Sequence, residues 1–203
     1  MILGISLSPL PLASAANTDL PEADAAAFRA HLVQKQLDSR WEGNPYRLES
    51  TEIQRAYGDR RFYFTFKAPP VPPGARLPEL IERYQKALEA HQKHSLRVTV
   101  GIEDGGGADT YRTAEDFNVG LMPISSDEDA RVAAAAILSL IGNDQVYPLV
   151  INAKEVSVTQ TRTGWTCRVN QQPKGIDGTV VFDASGRCVS ATKNLNYRPP
   201  VPP

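Results

Sequence analysis

Side chains able to do acid–base, nucleophilic or metal chemistry are few in this chain of 203 residues. Three histidines are present, His31, His91 and His94. The last two lie three apart in a segment of helical periodicity and can share a face. A metal site needs a third and fourth ligand, and neither an H-E-x-x-H pattern nor a Cys/His cluster supplies them. No metal or other cofactor is expected. Nucleophile signatures of the G-x-S-x-G or S-x-x-K kind are missing. Gly105-Gly106-Gly107 is followed by Ala108-Asp109 rather than by lysine and a hydroxyl residue, so it is no phosphate loop.

The strongest local anomaly is charge. Between Glu103 and Asp129 stand eight carboxylates, Glu103, Asp104, Asp109, Glu115, Asp116, Asp127, Glu128 and Asp129, against Arg112 alone. From Lys154 to Arg198 the balance reverses, with seven basic residues and three acidic ones. Asp127, Glu128 and Asp129 suit the first turn of a helix, where the backbone dipole favours anions. The other five, Glu103, Asp104, Asp109, Glu115 and Asp116, are either ordinary loop solvation or an acidic face that steers a basic partner. Calcium on Glu103, Asp104 and Asp109 is a lesser alternative, because EF-hand spacing is absent.

The elements that must carry these residues follow from periodicity. Asp19 and Pro21 open a helix in which Ala25, Phe28, Leu32 and Leu37 keep helical spacing to Asp38. Tyr46–Ile53 and Arg61–Lys67 read as two strands of a hairpin turning at Tyr57-Gly58-Asp59-Arg60. In the second, Phe62, Phe64 and Phe66 form a buried face and Arg61, Tyr63, Thr65 and Lys67 a solvated one. Residues 68–74, Ala-Pro-Pro-Val-Pro-Pro-Gly, form a stiff connector. A helix follows, with Leu77, Leu80, Ile81, Tyr84, Ala87, Leu88 and His91 on one stripe. Leu96–Ile102 is a strand.

Beyond residue 103 the pattern weakens until Ser125, where Ser125-x-x-Glu128 has capping-box form. The helix after it buries Val132, Ala133, Ala136, Ile137, Leu140 and Ile141 and ends at Gly142. Phe117–Leu121 is a candidate short strand. About four antiparallel strands complete the chain. Trp165, Cys167 and Val169 share one face, and Asp183-Ala184-Ser185-Gly186 makes a hairpin turn. The fold class is therefore α+β, with antiparallel sheet or sheets and about three helices. Residues 17–110 form an α-β-β-α-β unit, and 111–197 a helix plus antiparallel strands. The two are either separate small units or one sheet packed by helices. The pentapeptide Pro-Pro-Val-Pro-Pro recurs at 199–203, within an extended tail over 198–203. As in the connector, a spacer is favoured over a polyproline ligand.

Residues 2–12 are apolar or small and are followed by Ala13-Ser14-Ala15-Ala16, which resembles the end of a secretory signal peptide. Residues 1–16 are read as its remnant, and the location as periplasmic or secreted. In such a chain the only two cysteines, Cys167 and Cys188, are expected to form a disulfide. No apolar run is long enough for a spanning helix. The balance of 22 Lys+Arg against 23 Asp+Glu disfavours a nucleic-acid binder. Tyr57, Tyr63 and Tyr111 are contact residues if they reach the surface.

These features favour an exported, non-enzymatic domain that binds another protein, of an inhibitor or immunity type. The alternatives are a small hydrolase or ligand-binding enzyme whose site is assembled from distant residues, and a structural envelope module.

Overall fold

The structure is a computed structural model that describes residues 20–35, 45–66, 97–141, 150–171 and 176–195. Several expectations fall outside these residues: the signal remnant, the proline connector and the helix after it with His91 and His94, Gly142, and the proline tail. In chain order the described elements are α1 (Glu22–Gln34), β1 (Tyr46–Leu48), α2 (Thr51–Tyr57), β2 (Arg61–Phe66), β3 (Arg97–Ile102), β4 (Ala108–Thr110), α3 (Asp127–Leu140), β5 (Val156–Thr161), β6 (Gly164–Gln171), β7 (Ile176–Asp183) and β8 (Cys188–Leu195). Short 3₁₀ turns stand at Asp116–Asn118 and Ala153–Glu155. The fold is α+β, with three helices and two four-stranded antiparallel sheets among the described residues. The strand orders are β1-β2-β3-β4 (sheet A) and β5-β6-β7-β8 (sheet B).

Helix α3 joins the two sheets. Its residues Val132–Leu140 are all buried, because sheet B and α2 both pack against it and Phe62 and Phe64 of sheet A share its core. The run Ala133–Ala136 lets these layers approach, since each side chain adds little more than a methyl group. Gly178 of β7 has no Cβ; one there would stand 2.8 Å from Leu138 Cδ2. The first core cluster is continuous from Leu48, Phe62 and Phe64 of sheet A through α3 to Cys167, Val180 and Phe182 of sheet B.

Both ends of α3 are tied to the sheets. Trp165 Nε1 donates to Asp127 Oδ1 at 3.0 Å at its start. At its end Lys193 Nζ donates to the Leu138 carbonyl at 2.7 Å, and Thr99 Oγ1 to that of Leu140 at 3.0 Å. These partners satisfy carbonyls that the last helical turn leaves open, and the lysine also meets the negative end of the dipole. The cap sits one residue later than its expected position. Ser126 is the N-cap and accepts from Asp129 N–H, while the Asp129 carboxylate accepts from Ser125 N–H at 3.1 Å and from the Ser125 hydroxyl at 2.8 Å.

The hairpin expected over residues 46–67 is corrected. Of its first arm only Tyr46–Leu48 is strand, paired with β2, and residues 51–57 are helix α2. Ser50 caps this helix by accepting from Ile53 N–H, Ile53, Ala56 and Tyr57 form its buried stripe, and Gly58 ends it at φ 61°. Residues 117–121 likewise contain no strand; Asp116–Asn118 is a 3₁₀ turn.

The solvated face expected for β2 is also corrected. Tyr63 and Thr65 are as buried as Phe62 and Phe64. Helix α1 covers that second face, packing Phe28 and Leu32 on Tyr63, Val98, Val100 and Ile102 in a separate small core. Tyr57 and Tyr111 are buried too, so none of the three tyrosines is an exposed contact residue.

Cys167 and Cys188 are free and buried, which corrects the expected disulfide. Cys167 pairs with Val180 across β6 and β7, and Cys188 pairs with Phe182 across β7 and β8. A whole strand, β7, therefore lies between them. Two interstrand spacings amount to roughly 9–10 Å, beyond the ~7 Å Cα separation that a disulfide spans. Burial pushes the Cys188 thiol up to about 11 and that of Cys167 to about 12, so neither is a thiolate near neutral pH. Among the described residues no helix is long and apolar enough to cross a membrane.

Candidate acidic site

The sequence reading missed the two residues that organise the acidic segment, Arg60 and Arg61. Arg60 follows the turn after α2, and its side chain is only 4% exposed. Its guanidinium stands 5.8 Å from the centre of the Tyr111 ring. Beneath lies an aromatic knot: Phe62 against Tyr111 at 4.9 Å between ring centres, and Tyr57 against Phe62 at 5.0 Å. Two of these rings carry hydroxyls that fix the neighbouring loop. Tyr57 Oη donates to the Phe117 carbonyl at 2.9 Å, and Tyr111 Oη to that of Val119 at 2.7 Å. Glycines make room for the arginine. A Cβ at Gly101 would lie 2.7 Å from Tyr111 Cε2 and 3.1 Å from Arg60 Cδ, and one at Gly120 2.7 Å from Arg60 Nε.

This buried cation meets two carboxylates at the rim. Arg60 Nη1 donates to Asp109 Oδ2 at 2.9 Å, and Nη2 donates to Glu103 Oε1. The side chains of Glu103 and Asp109 remain 56% and 45% exposed. Burial alone would make Arg60 easier to deprotonate, but the hydrogen bond to Asp109 and the charges of Glu103 and Asp109 outweigh it and raise its pKa further.

Arg61, next along β2, points to the other face of sheet A. Its Nε donates to Asp24 Oδ2 of α1 at 2.8 Å, its Nη2 to Asp24 Oδ1 at 3.1 Å, and its Nη1 to Asp104. Burial would raise the Asp24 carboxyl. Hydrogen bonds from Arg61 and Tyr63, and the charges of Arg61 and Arg47, hold it below its ordinary value instead.

The five carboxylates singled out in the sequence thus divide. Glu103 and Asp109 meet on Arg60, whereas Asp104, on the same β3–β4 hairpin, pairs with Arg61 on the other face. Asp116 is turned into its own loop, where Oδ2 accepts from Arg112 N–H at 2.9 Å and Thr113 N–H at 2.7 Å. Glu115 is exposed beside it. The impression that Arg112 alone opposes the acidic run is corrected: the opposing charges are 43 to 49 positions away in the chain. The only signal for them was Arg60-Arg61 entering an aromatic strand. No group of three or more metal-ligating side chains forms among the described residues. Compared with known protein families, with curated proteins and with solved structures, the chain matches none.

Proposed function

We propose that the chain is an exported protein-binding domain that offers the acidic β3–β4 hairpin, with Glu103 and Asp109 held by Arg60 and Asp104 held by Arg61, to a basic segment of its partner, in the manner of an envelope inhibitor or immunity protein. The observation that carries this reading is the burial of Arg60 beneath two carboxylates that stay about half exposed. A carboxylate already held in place loses little conformational freedom when a partner docks. Its field also aids encounter with a positive surface. Export rests on the apolar residues 2–12 with the small residues after them. Exposed Met122 and Val119, in the loop that Tyr111 anchors, supply apolar area at 51% and 39% exposure.

The test is affinity capture from a periplasmic or secreted extract, followed by titration of the purified partner. Asp104→Lys, with the side chain 74% exposed, and Glu103→Lys are expected to weaken binding at least tenfold. Raised salt is expected to weaken wild-type binding as well. Unchanged affinity in both folded variants rejects the acidic hairpin as the binding surface. Mass spectrometry of the mature chain is expected to place its N-terminus after Ala15 or Ala16; an intact residue 1 in the exported fraction rejects signal cleavage.

A further inference from the structure

We propose that helix α1 is an acid-released strap: a small core of its own and two titratable side chains buried at its ends, Asp24 and His31, hold it on sheet A, and its C-terminal end lets go when His31 takes up a proton. The geometry has three parts. First, the core under α1, Phe28 and Leu32 on Tyr63, Val98, Val100 and Ile102, is separate from the one that unites α2, α3 and sheet B. The helix can therefore lift without opening the main core. Second, His31 is only 4% exposed, and its polar contact is Nε2 to Thr110 Oγ1 of β4 at 2.7 Å. Third, Asp24 at the other end is clamped by Arg61 and Tyr63 of β2.

A proton on His31 puts a full charge on a side chain that is largely withdrawn from water. Lys35, one turn further along α1, repels that charge, and Asp109 of β4 attracts it. The helix C-terminus attracts it too. Asp109 already serves Arg60. Burial, with Lys35, prevails and holds the imidazole below the ordinary 6.5. Once α1 is undocked, His31 regains that ordinary value, so the undocked helix binds the proton more readily. Docking strength is therefore complete above pH 6.5 and is lost as pH falls from there through the docked value. Asp24 remains ionised through this window because its own value is lowered from 3.8. Release thus begins at the His31 end while the Asp24 end stays clamped.

Hydrogen–deuterium exchange on the full chain, corrected for intrinsic rates, tests this at about pH 7.5 and about pH 5. Opening of the α1 peptide around His31 is expected to rise by up to about tenfold per pH unit in the sensitive window. Peptides of β6, β7 and β8 are expected to keep their protection, and His31→Gln to remove the pH response of α1. Equal α1 protection at both pH values overturns the proposal. So does loss in step with sheet B, or an undiminished response in His31→Gln. If that variant does not fold, the wild-type His31 imidazole is titrated by NMR: a midpoint below 6.5 supports the strap, and one at or above 6.5 overturns it.

Discussion

Arg60 makes an asymmetric prediction. The cation is buried, with its side chain 4% exposed, and its two anions are 56% and 45% exposed. Removing the cation by Arg60→Met keeps most of the stem packing and leaves carboxylates that water can solvate. The losses are two rim ion pairs at about 0.2–1 kcal/mol each and one cation–π contact at about 0.5–1 kcal/mol. The expected cost is therefore about 2 kcal/mol. Removing both anions by Glu103→Ala with Asp109→Ala strands a buried guanidinium, and breaking such a pair from its exposed side costs about 3–5 kcal/mol. Adding Arg60→Met to that double variant takes the stranded charge away. The triple variant is then expected to be more stable than the double by about 1–3 kcal/mol, the difference between those two losses.

Urea unfolding followed by circular dichroism reads all four proteins, with the slope checked for constancy so that midpoints convert to free energies. At roughly 2–4 °C per kcal/mol for a chain of this size, the double variant should melt about 6–20 °C lower. Two results refute the reasoning. A double variant that loses less than Arg60→Met means that the guanidinium is hydrated in solution. A triple variant less stable than the double means that the stem, not the charge, carries the energy.

Three further outcomes follow from the same geometry. Ser126→Ala is expected to cost about 1 kcal/mol, the usual value of an N-cap, and Ser125→Ala less; the reverse order in urea melts removes Ser126 as the cap. Both thiols should resist a disulfide-exchange reagent at mildly alkaline pH in the native protein and react fully in denaturant, whereas fewer than two reactive thiols after unfolding contradicts the strand order that separates them. Stability should fall at both pH extremes. Asp24, lowered by Arg61 and Tyr63, contributes above its ordinary 3.8 and loses that contribution as pH drops through its folded value. Tyr63, pushed by burial and Asp24 to about 12, favours the folded state until pH rises past its ordinary 10.0 toward that value. Asp24→Asn should flatten the acid limb, and Tyr63→Phe the tyrosinate signal that accompanies alkaline unfolding; limbs identical to wild type count against both assignments.

Sheet B was legible because β6 and β7 are eight residues long and alternate in burial, and short turns join β5 to β6 and β7 to β8. Gly186 at φ 83° and the Asp183 carboxylate, which accepts from Ser185 and Arg187 N–H, close the β7–β8 turn as the local sequence suggests. Sheet A was harder for a physical reason. Strand β2 is covered on both faces, so alternation marks neither face as solvent-facing, and Tyr63 and Thr65 passed for surface residues. Helix α2 is barely two turns long, below the length at which periodicity separates helix from strand. Its better signals were discrete ones: Ser50 as a cap, Gly58 as a stop, and Ile53, Ala56 and Tyr57 at helical intervals.

The acidic segment was visible in the sequence only as a sum of charge, and that sum was counted along the chain. Electrostatic energy depends on distance and dielectric, not on sequence separation. The antiparallel pairing of β2 with β3 sets Arg61 opposite Ile102 and Phe62 opposite Gly101. Residues 60 and 61 must therefore lie beside the hairpin that starts at residue 103, and strand register, once known, gives the ion pairs. The small residue at Gly101 then has a reason. It opens the space over Tyr111 that a charged side chain needs in order to lie flat and reach the rim. One register thus accounts for a glycine, a buried arginine and two half-exposed carboxylates. Gly101→Ala is expected to disturb all four residues together. Its Cβ, 2.7 Å from the Tyr111 ring, should cost about 1–3 kcal/mol by overpacking. Tyr111→Phe keeps the ring and so should not relieve it, whereas Tyr111→Leu in the Gly101→Ala background should recover part of the loss. Urea melts in which Tyr111→Phe rescues as well as Tyr111→Leu would place the conflict at the hydroxyl and not at the ring.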